Sequence, residues 1–124
     1  MPSTNEYTAI RLVLQQYIDA SYTGNVPSLK IVFHPEALMS GYLNDELDIG
    51  TPEPFYVELE ENPSSKESGE SYEGEIAFIH ITGQIASAAI IEDNLLGMNY
   101  VNHFHLLKIE GEWRIISKIY TTVD

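Results

Sequence analysis

The sequence predicts an α+β fold in which N-terminal helices pack into a strongly curved antiparallel sheet that encloses a pocket for a small organic molecule. Three observations predict it. An apolar stripe at helical spacing runs from Tyr7 to Ser21, the hydrophobic period drops to two from Glu75 onward, and the last two strands meet at Glu110-Gly111 with one aromatic-rich face. At 124 residues the chain has the usual size of one domain, so a single domain over residues 1–124 is expected.

Ser3-Thr4-Asn5-Glu6 reads as a capping box that opens the first helix, with Tyr7, Ile10, Leu14, Tyr17, Ile18 and Ser21 along one face and Gly24 as a left-handed stop. Asn25 caps a short second helix in which Pro27 is tolerated in the first turn. Leu29, Val32 and Phe33 face inward before Pro35 ends it. Two strands, 37–43 and 46–50, follow as a hairpin turning at Asn44-Asp45. Thr51-Pro52-Glu53 starts a third helix over 55–61, and 62–73, rich in Ser, Glu and Gly, reads as an exposed loop. The β-rich remainder forms a meander over 75–81, 85–91, 98–109 and 113–123.

Composition narrows the function classes. Hydrophobic residues at 44% and charged residues at 20% are those of a globular chain. Nineteen acidic against six basic residues, a net charge of −13, would repel phosphate backbones and anionic lipid heads, so neither nucleic acid nor membrane is an expected partner. No run approaches the roughly 20 apolar residues of a membrane span, and the start has no signal-peptide pattern; a soluble cytoplasmic location is expected. The absence of cysteine excludes disulfides, thiolate metal sites and a cysteine nucleophile. Twelve carboxylates between Glu36 and Glu75 face one base, Lys66. No loop spaces them as an EF-hand does, so they read as a solvated acidic surface, and no cofactor or metal is expected.

A two-residue turn at Glu110-Gly111 sets Ile109 opposite Glu112 and Lys108 opposite Trp113. Unbroken alternation then places Tyr100, Asn102, Phe104 and Leu106 with Trp113, Ile115, Ser117 and Ile119 on the concave face. His103, His105 and Leu107 share the convex face with Arg114, Ile116, Lys118 and Tyr120. The concave set suits a hydrophobic pocket in which Asn102 and Ser117 either orient a ligand or satisfy buried backbone groups.

The ordered set of 17–25, Val32-Phe33-His34-Pro35-Glu36-Ala37, the run 76–86, and 104–120 with Gly111-Glu112-Trp113-Arg114-Ile115 and Lys118 resembles the NTF2-like superfamily, which includes ketosteroid isomerase, scytalone dehydratase and SnoaL-type cyclases. Within it the chain is most similar to the group called putative lumazine-binding. The resemblance implies a cone-shaped, cystatin-like α+β barrel, a deep pocket between helices and sheet, and often a homodimer through the sheet's outer face. Members isomerise, dehydrate, cyclise, bind without catalysis or carry other proteins, so the fold does not choose the chemistry. Where relatives often carry an acid two residues before the Phe of the penultimate strand, this chain has Asn102, and an amide cannot act as a general base.

Candidate ligand-binding residues are therefore Tyr17, Tyr42, Phe55, Tyr100, Asn102, Phe104 and Ser117, the phenols serving either as donors to a carbonyl or enolate oxygen or as plain aromatic core. His103 and His105 point the same way from one strand. With Lys118 and Tyr120 they are assigned to an interface or secondary site, since a nearby ammonium opposes a divalent cation. Two functions follow: a pocket protein for a hydrophobic cyclic or aromatic metabolite, with lyase- or isomerase-type proton transfer as its catalytic form, or a non-catalytic homodimeric interaction module with a vestigial pocket.

Overall fold

The computed structural model describes residues 4–124; the capping box at Ser3 lies outside them. Helix α1 spans Thr4–Thr23 and seals Ile10, Leu14, Tyr17, Ile18 and Ser21 against the sheet, while Tyr7 at the end of the stripe stays 39% exposed. Gly24, at φ 68°, stops it. Helix α2 is Val26–Val32, capped by Asn25 Oδ1 accepting from Ser28 N at 3.1 Å. It ends because His34 precedes a proline and is pushed toward extended backbone. Strand β1 therefore begins at Phe33 and runs Phe33–Leu43, four residues earlier than the hydrophobic pattern predicts.

Strand β2 is Glu46–Gly50, and Asn44 and Asp45 both adopt left-handed φ values of 49° and 68°, as a tight hairpin turn requires. Helix α3 covers Glu53–Glu61. The segment expected as an open loop instead contains α4, Ser65–Ser68, closed by a capping box between Ser64 and Glu67 with Ser64 and Ser65 buried. The meander follows as β3 Glu73–Thr82, β4 Ile85–Leu95, β5 Met98–Ile109 and β6 Glu112–Val123.

The six strands form one sheet in the order β2-β1-β6-β5-β4-β3. The expectation of a purely antiparallel sheet needs correction at one seam: β1 lies parallel to β6, pairing Met39 with Lys118 and Gly41 with Tyr120. β1 and β6 are separated in the chain by β2 to β5, so no hairpin turn fixes their relative direction. Irregular pairing in β1, β3, β4 and β6 bends the sheet around α1. Phe104, Leu106, Trp113 and Ile115 pack inward with Ile10, Leu14 and Tyr17. Each large apolar side chain sealed there contributes about 1.5–3 kcal/mol of transfer free energy.

Candidate functional site

A bulge in β6 decides which side chains meet the pocket. Leu106 pairs with Ile115 but His105 pairs with Ser117, so Ile116 is left without an opposite residue. Alternation slips by one at that point. Trp113 and Ile115 face inward before it; after it, Lys118 and Tyr120 face inward, and Ser117 and Ile119 turn outward. The expected faces therefore hold only as far as Ile115. Lys118, placed by simple alternation on the convex side beside the histidines, is 3% exposed and lies opposite Phe104 on the concave side.

The cavity has a volume of about 290 Å³, near the small end of ligand sites of roughly 300–1,000 Å³. Its walls come from Phe55 and Glu58 of α3, Met39 and Asp48 of the first hairpin, and Leu95, Met98 and Tyr100 around the β4–β5 turn. Glu92 and Lys118 also line it. Tyr120 lies at the same wall, its hydroxyl donating to Asp48 Oδ2 at 3.3 Å.

Glu92 is fully buried, and its carboxylate is held by three donors. Tyr17 Oη donates to Oε1 at 3.1 Å, Asn102 Nδ2 to Oε1 at 2.7 Å, and Tyr72 Oη to Oε2 at 2.6 Å. Lys118 Nζ in turn donates to Tyr17 Oη at 2.7 Å. The ammonium and the carboxylate are thus bridged by one phenol, which satisfies two opposite charges that would each cost several kcal/mol if buried alone. The rest of the ammonium is walled by rings, with Nζ 4.6 Å from the Phe55 centroid, 5.0 Å from Tyr17 and 5.6 Å from Tyr120.

Burial pushes the Lys118 amine down to about 8, an effect that the Glu92 carboxylate partly offsets. Burial, and then the same carboxylate, hold Tyr17 and Tyr72 well above the usual phenol range and raise Tyr100 to about 12. All three phenols consequently stay protonated at neutral pH and act as hydrogen-bond donors. A buried carboxylate, a phenol that both accepts and donates, and an amine with a weakened hold on its proton form a hydrogen-bonded chain along which protons can move.

The predicted site residues divide. Phe55 and Tyr100 line the cavity. Tyr17 and Asn102 lie at its inner end through Glu92, sealed from solvent, and Asn102 Oδ1 has no partner among the described residues. Phe104 is core, edge-on to Tyr17 at 5.1 Å. Tyr42 is not a pocket residue: it pairs with outward-facing Thr121 and is 49% exposed. Ser117 is likewise outward, 3.4 Å from His105 Nδ1. His103 and His105 do lie on the convex face, with Phe78 edge-on to His103 at 6.0 Å. Lys118 and Tyr120, grouped with them by the sequence, belong to the cavity.

Glu92 is the residue that the pattern missed. Ala86, Ala88, Ile90 and Glu92 share one parity on β4, so the signal existed. Ending that strand at Ile91 left the acid in a turn. Asn102 thus has a buried acid beside it on the neighbouring strand, opposite Tyr100 in the β4–β5 ladder.

Among known proteins, the chain is similar to Aldolase FrzH of a Cladobotryum species, 26% identical over 119 residues that cover 95% of this chain and 92% of the relative. A solved NTF2-like protein of unknown function from Shewanella baltica is 30% identical, with a TM-score of 0.88 over 100% of this chain and 98% of its own. A domain with a cystatin-like fold from Nostoc punctiforme, 16% identical, superposes with a TM-score of 0.73 over 99% of this chain and 80% of that one, and speaks for the fold alone. No helix of the described residues is long and apolar enough to cross a membrane. Residues 5–121 match the family described as "Putative lumazine-binding", and the chain belongs to that family, within the NTF2-like superfamily.

Proposed function

We infer that the protein is a lyase-type enzyme that acts on a small, largely apolar carbonyl compound, moving a proton at the carbon next to the carbonyl and thereby making or breaking a carbon–carbon bond in the manner of an aldol reaction. The observation that carries this reading is the buried Glu92–Tyr17–Lys118 chain at the inner end of an apolar cavity. Glu92 takes the proton α to the carbonyl, and the amine end of the chain stabilises the negative charge that develops on oxygen. Apolar walls keep water from competing and strengthen both effects. The similarity to an aldolase supports the same chemistry. The amide at position 102 favours a non-catalytic module, while the Glu92 carboxylate hydrogen-bonded to it supports the catalytic reading.

Exchange of α-protons of phenylacetone or cyclohexanone in D₂O, followed by NMR, tests this. The wild-type protein should exceed buffer by orders of magnitude and Glu92→Gln should fall back toward it. Equal rates for wild type and variant would refute the assignment of Glu92. Saturable binding without any exchange would leave a binding protein.

The convex face supports a pair of identical chains. Leu38, Ile119, Ile91 and Phe78 are 59, 57, 39 and 38% exposed on one side of the sheet, an apolar surface of the kind that marks a protein contact. Two copies back to back would cover it.

A further inference from the structure

We propose that Lys118 is a catalytic nucleophile whose Nζ forms a Schiff base with the carbonyl carbon of the substrate, an assignment that rests on the carbonyl-directed reading above. Three features of its surroundings carry it. First, the amine lines the cavity, whereas Lys108 pairs with Glu6 at 3.0 Å elsewhere in the fold. Second, among the described residues its side chain makes one hydrogen bond, to Tyr17 Oη, and its other neighbours are the faces of Tyr17, Phe55 and Tyr120. No carboxylate grips it directly, so a carbonyl carbon can approach the nitrogen without first breaking an ion pair. Third, the same hydrogen bond leads its proton away.

The proton path is written in the geometry. As Nζ gives a proton to Tyr17 Oη, Tyr17 gives its own to Glu92 Oε1, leaving a neutral amine and a protonated carboxyl with Tyr17 unchanged. The amine lone pair attacks the carbonyl carbon, the π electrons move to oxygen, and a proton shift from nitrogen to oxygen gives a neutral carbinolamine. Glu92 returns its proton to that hydroxyl, which leaves as water, and the nitrogen lone pair forms the C=N bond of an iminium ion. The iminium draws electrons from the adjacent carbon. Glu92, again a carboxylate, accepts the proton lost there or the β-hydroxyl proton of a substrate about to split. In the splitting case the Cα–Cβ bond breaks to give the enamine and a released carbonyl fragment. The enamine carbon then takes the proton back from Glu92, or attacks a second carbonyl carbon whose alkoxide takes that proton. Water hydrolyses the iminium so regenerated to product and the free amine. No oxidant or reductant enters.

Burial supports the assignment, because an amine brought down to about 8 is neutral in about one molecule in ten at pH 7, against roughly one in a few thousand for an ordinary lysine. The titratable groups around the amine are Tyr17 from α1 and Tyr120 from its own strand, and those that share its cavity are Asp48 from β2, Glu58 from α3, Glu92 from β4 and Tyr100 from β5. Trapping should rise between pH 6 and 8 with the neutral fraction of the amine.

The experiment uses the full chain with phenylacetone or cyclohexanone and sodium cyanoborohydride, read by intact mass and peptide mapping. The expected result is one adduct per chain, heavier by the probe less one oxygen, on Lys118. Lys118→Arg should lose it while keeping its circular dichroism, and Lys118→Met serves if the arginine variant does not fold. Labelling spread equally over Lys30, Lys66 and Lys108 would overturn the proposal. So would a wild-type protein that exchanges α-protons yet traps nothing, a result that leaves the broader reading standing. Neither exchange nor adduct would remove both.

Discussion

The two faces of one sheet follow opposite rules. The concave face buries an ammonium, a carboxylate and an amide, Lys118, Glu92 and Asn102, away from bulk solvent. The convex face, a strand's thickness away, leaves Leu38, Ile119 and Phe78 in contact with solvent. If stability alone governed the chain, the assignments would be reversed, since each buried charge costs several kcal/mol and each exposed apolar side chain forgoes a gain. The difference teaches that monomer stability does not explain either face, which is what the proposed chemistry inside and the proposed contact outside would require.

The largest effect expected on this comparison comes from the backbone seam that builds the inner face. A Cβ at Gly41 would collide with the Tyr120 carbonyl of the parallel β6 strand. Gly41→Ala should therefore destabilise by about 3 kcal/mol or more, because backbone atoms cannot step aside as a side chain can. An unchanged urea midpoint would mean that β1 and β6 are not so closely apposed.

Next comes the charged pair. Glu92→Gln and Lys118→Met should each destabilise by roughly 2–3 kcal/mol, because each strands its partner's buried charge, while the double variant should recover most of that loss. Simple additivity would show that Tyr17 does not couple the two.

Smaller again is a pH effect whose sign follows from the displaced amine. Lys118 titrates near 8 in the fold and near 10.5 when unfolded, so between those values the unfolded chain holds one more proton and stability rises with pH. The gain should approach about 1.4 kcal/mol per pH unit from 8 to 10, be absent in Lys118→Met, and reverse above 10, where Tyr17, Tyr72 and Tyr100 ionise only on unfolding. A flat profile would place the amine in water.

The smallest thermodynamic effect belongs to the convex face. Ile119→Glu should turn a dimer at micromolar protein into a monomer by light scattering while shifting the monomer's intrinsic stability by less than about 0.5 kcal/mol. A monomeric wild type would refute the pairing of identical chains through this face.

How much could be read in advance depended on whether a signal was local. The α1 stripe, the stop at Gly24, the Asn25 cap and the Asn44-Asp45 and Glu110-Gly111 turns all emerged as read, since each depends on neighbouring residues and backbone torsions. The convex placement of His103 and His105 followed from the same turn. What failed was extrapolation along a strand. Alternation through Ile115-Ile116 had two continuations, and only the pairing of His105 with Ser117 chose between them, exchanging Ser117 and Ile119 for Lys118 and Tyr120 at the cavity. The adjacent isoleucines were a visible hint that the pattern could slip there. Ending β4 at Ile91, four residues early, hid Glu92 in the same way.

By itself, the sequence determined the order of the elements other than α4, the turns, the aromatic content of the core and the exclusion of thiol chemistry, because these rest on periodicity, torsional preference and residue type. Only the tertiary structure decided that β1 enters parallel to β6, that a buried acid on β4 stands beside Asn102, and that Lys118 points inward. Those outcomes are set by a one-residue bulge and by contacts between residues up to 101 positions apart, such as Lys118 with Tyr17. No window of neighbouring residues contains that information, since the energies that select it exist only once the sheet has closed around the helix.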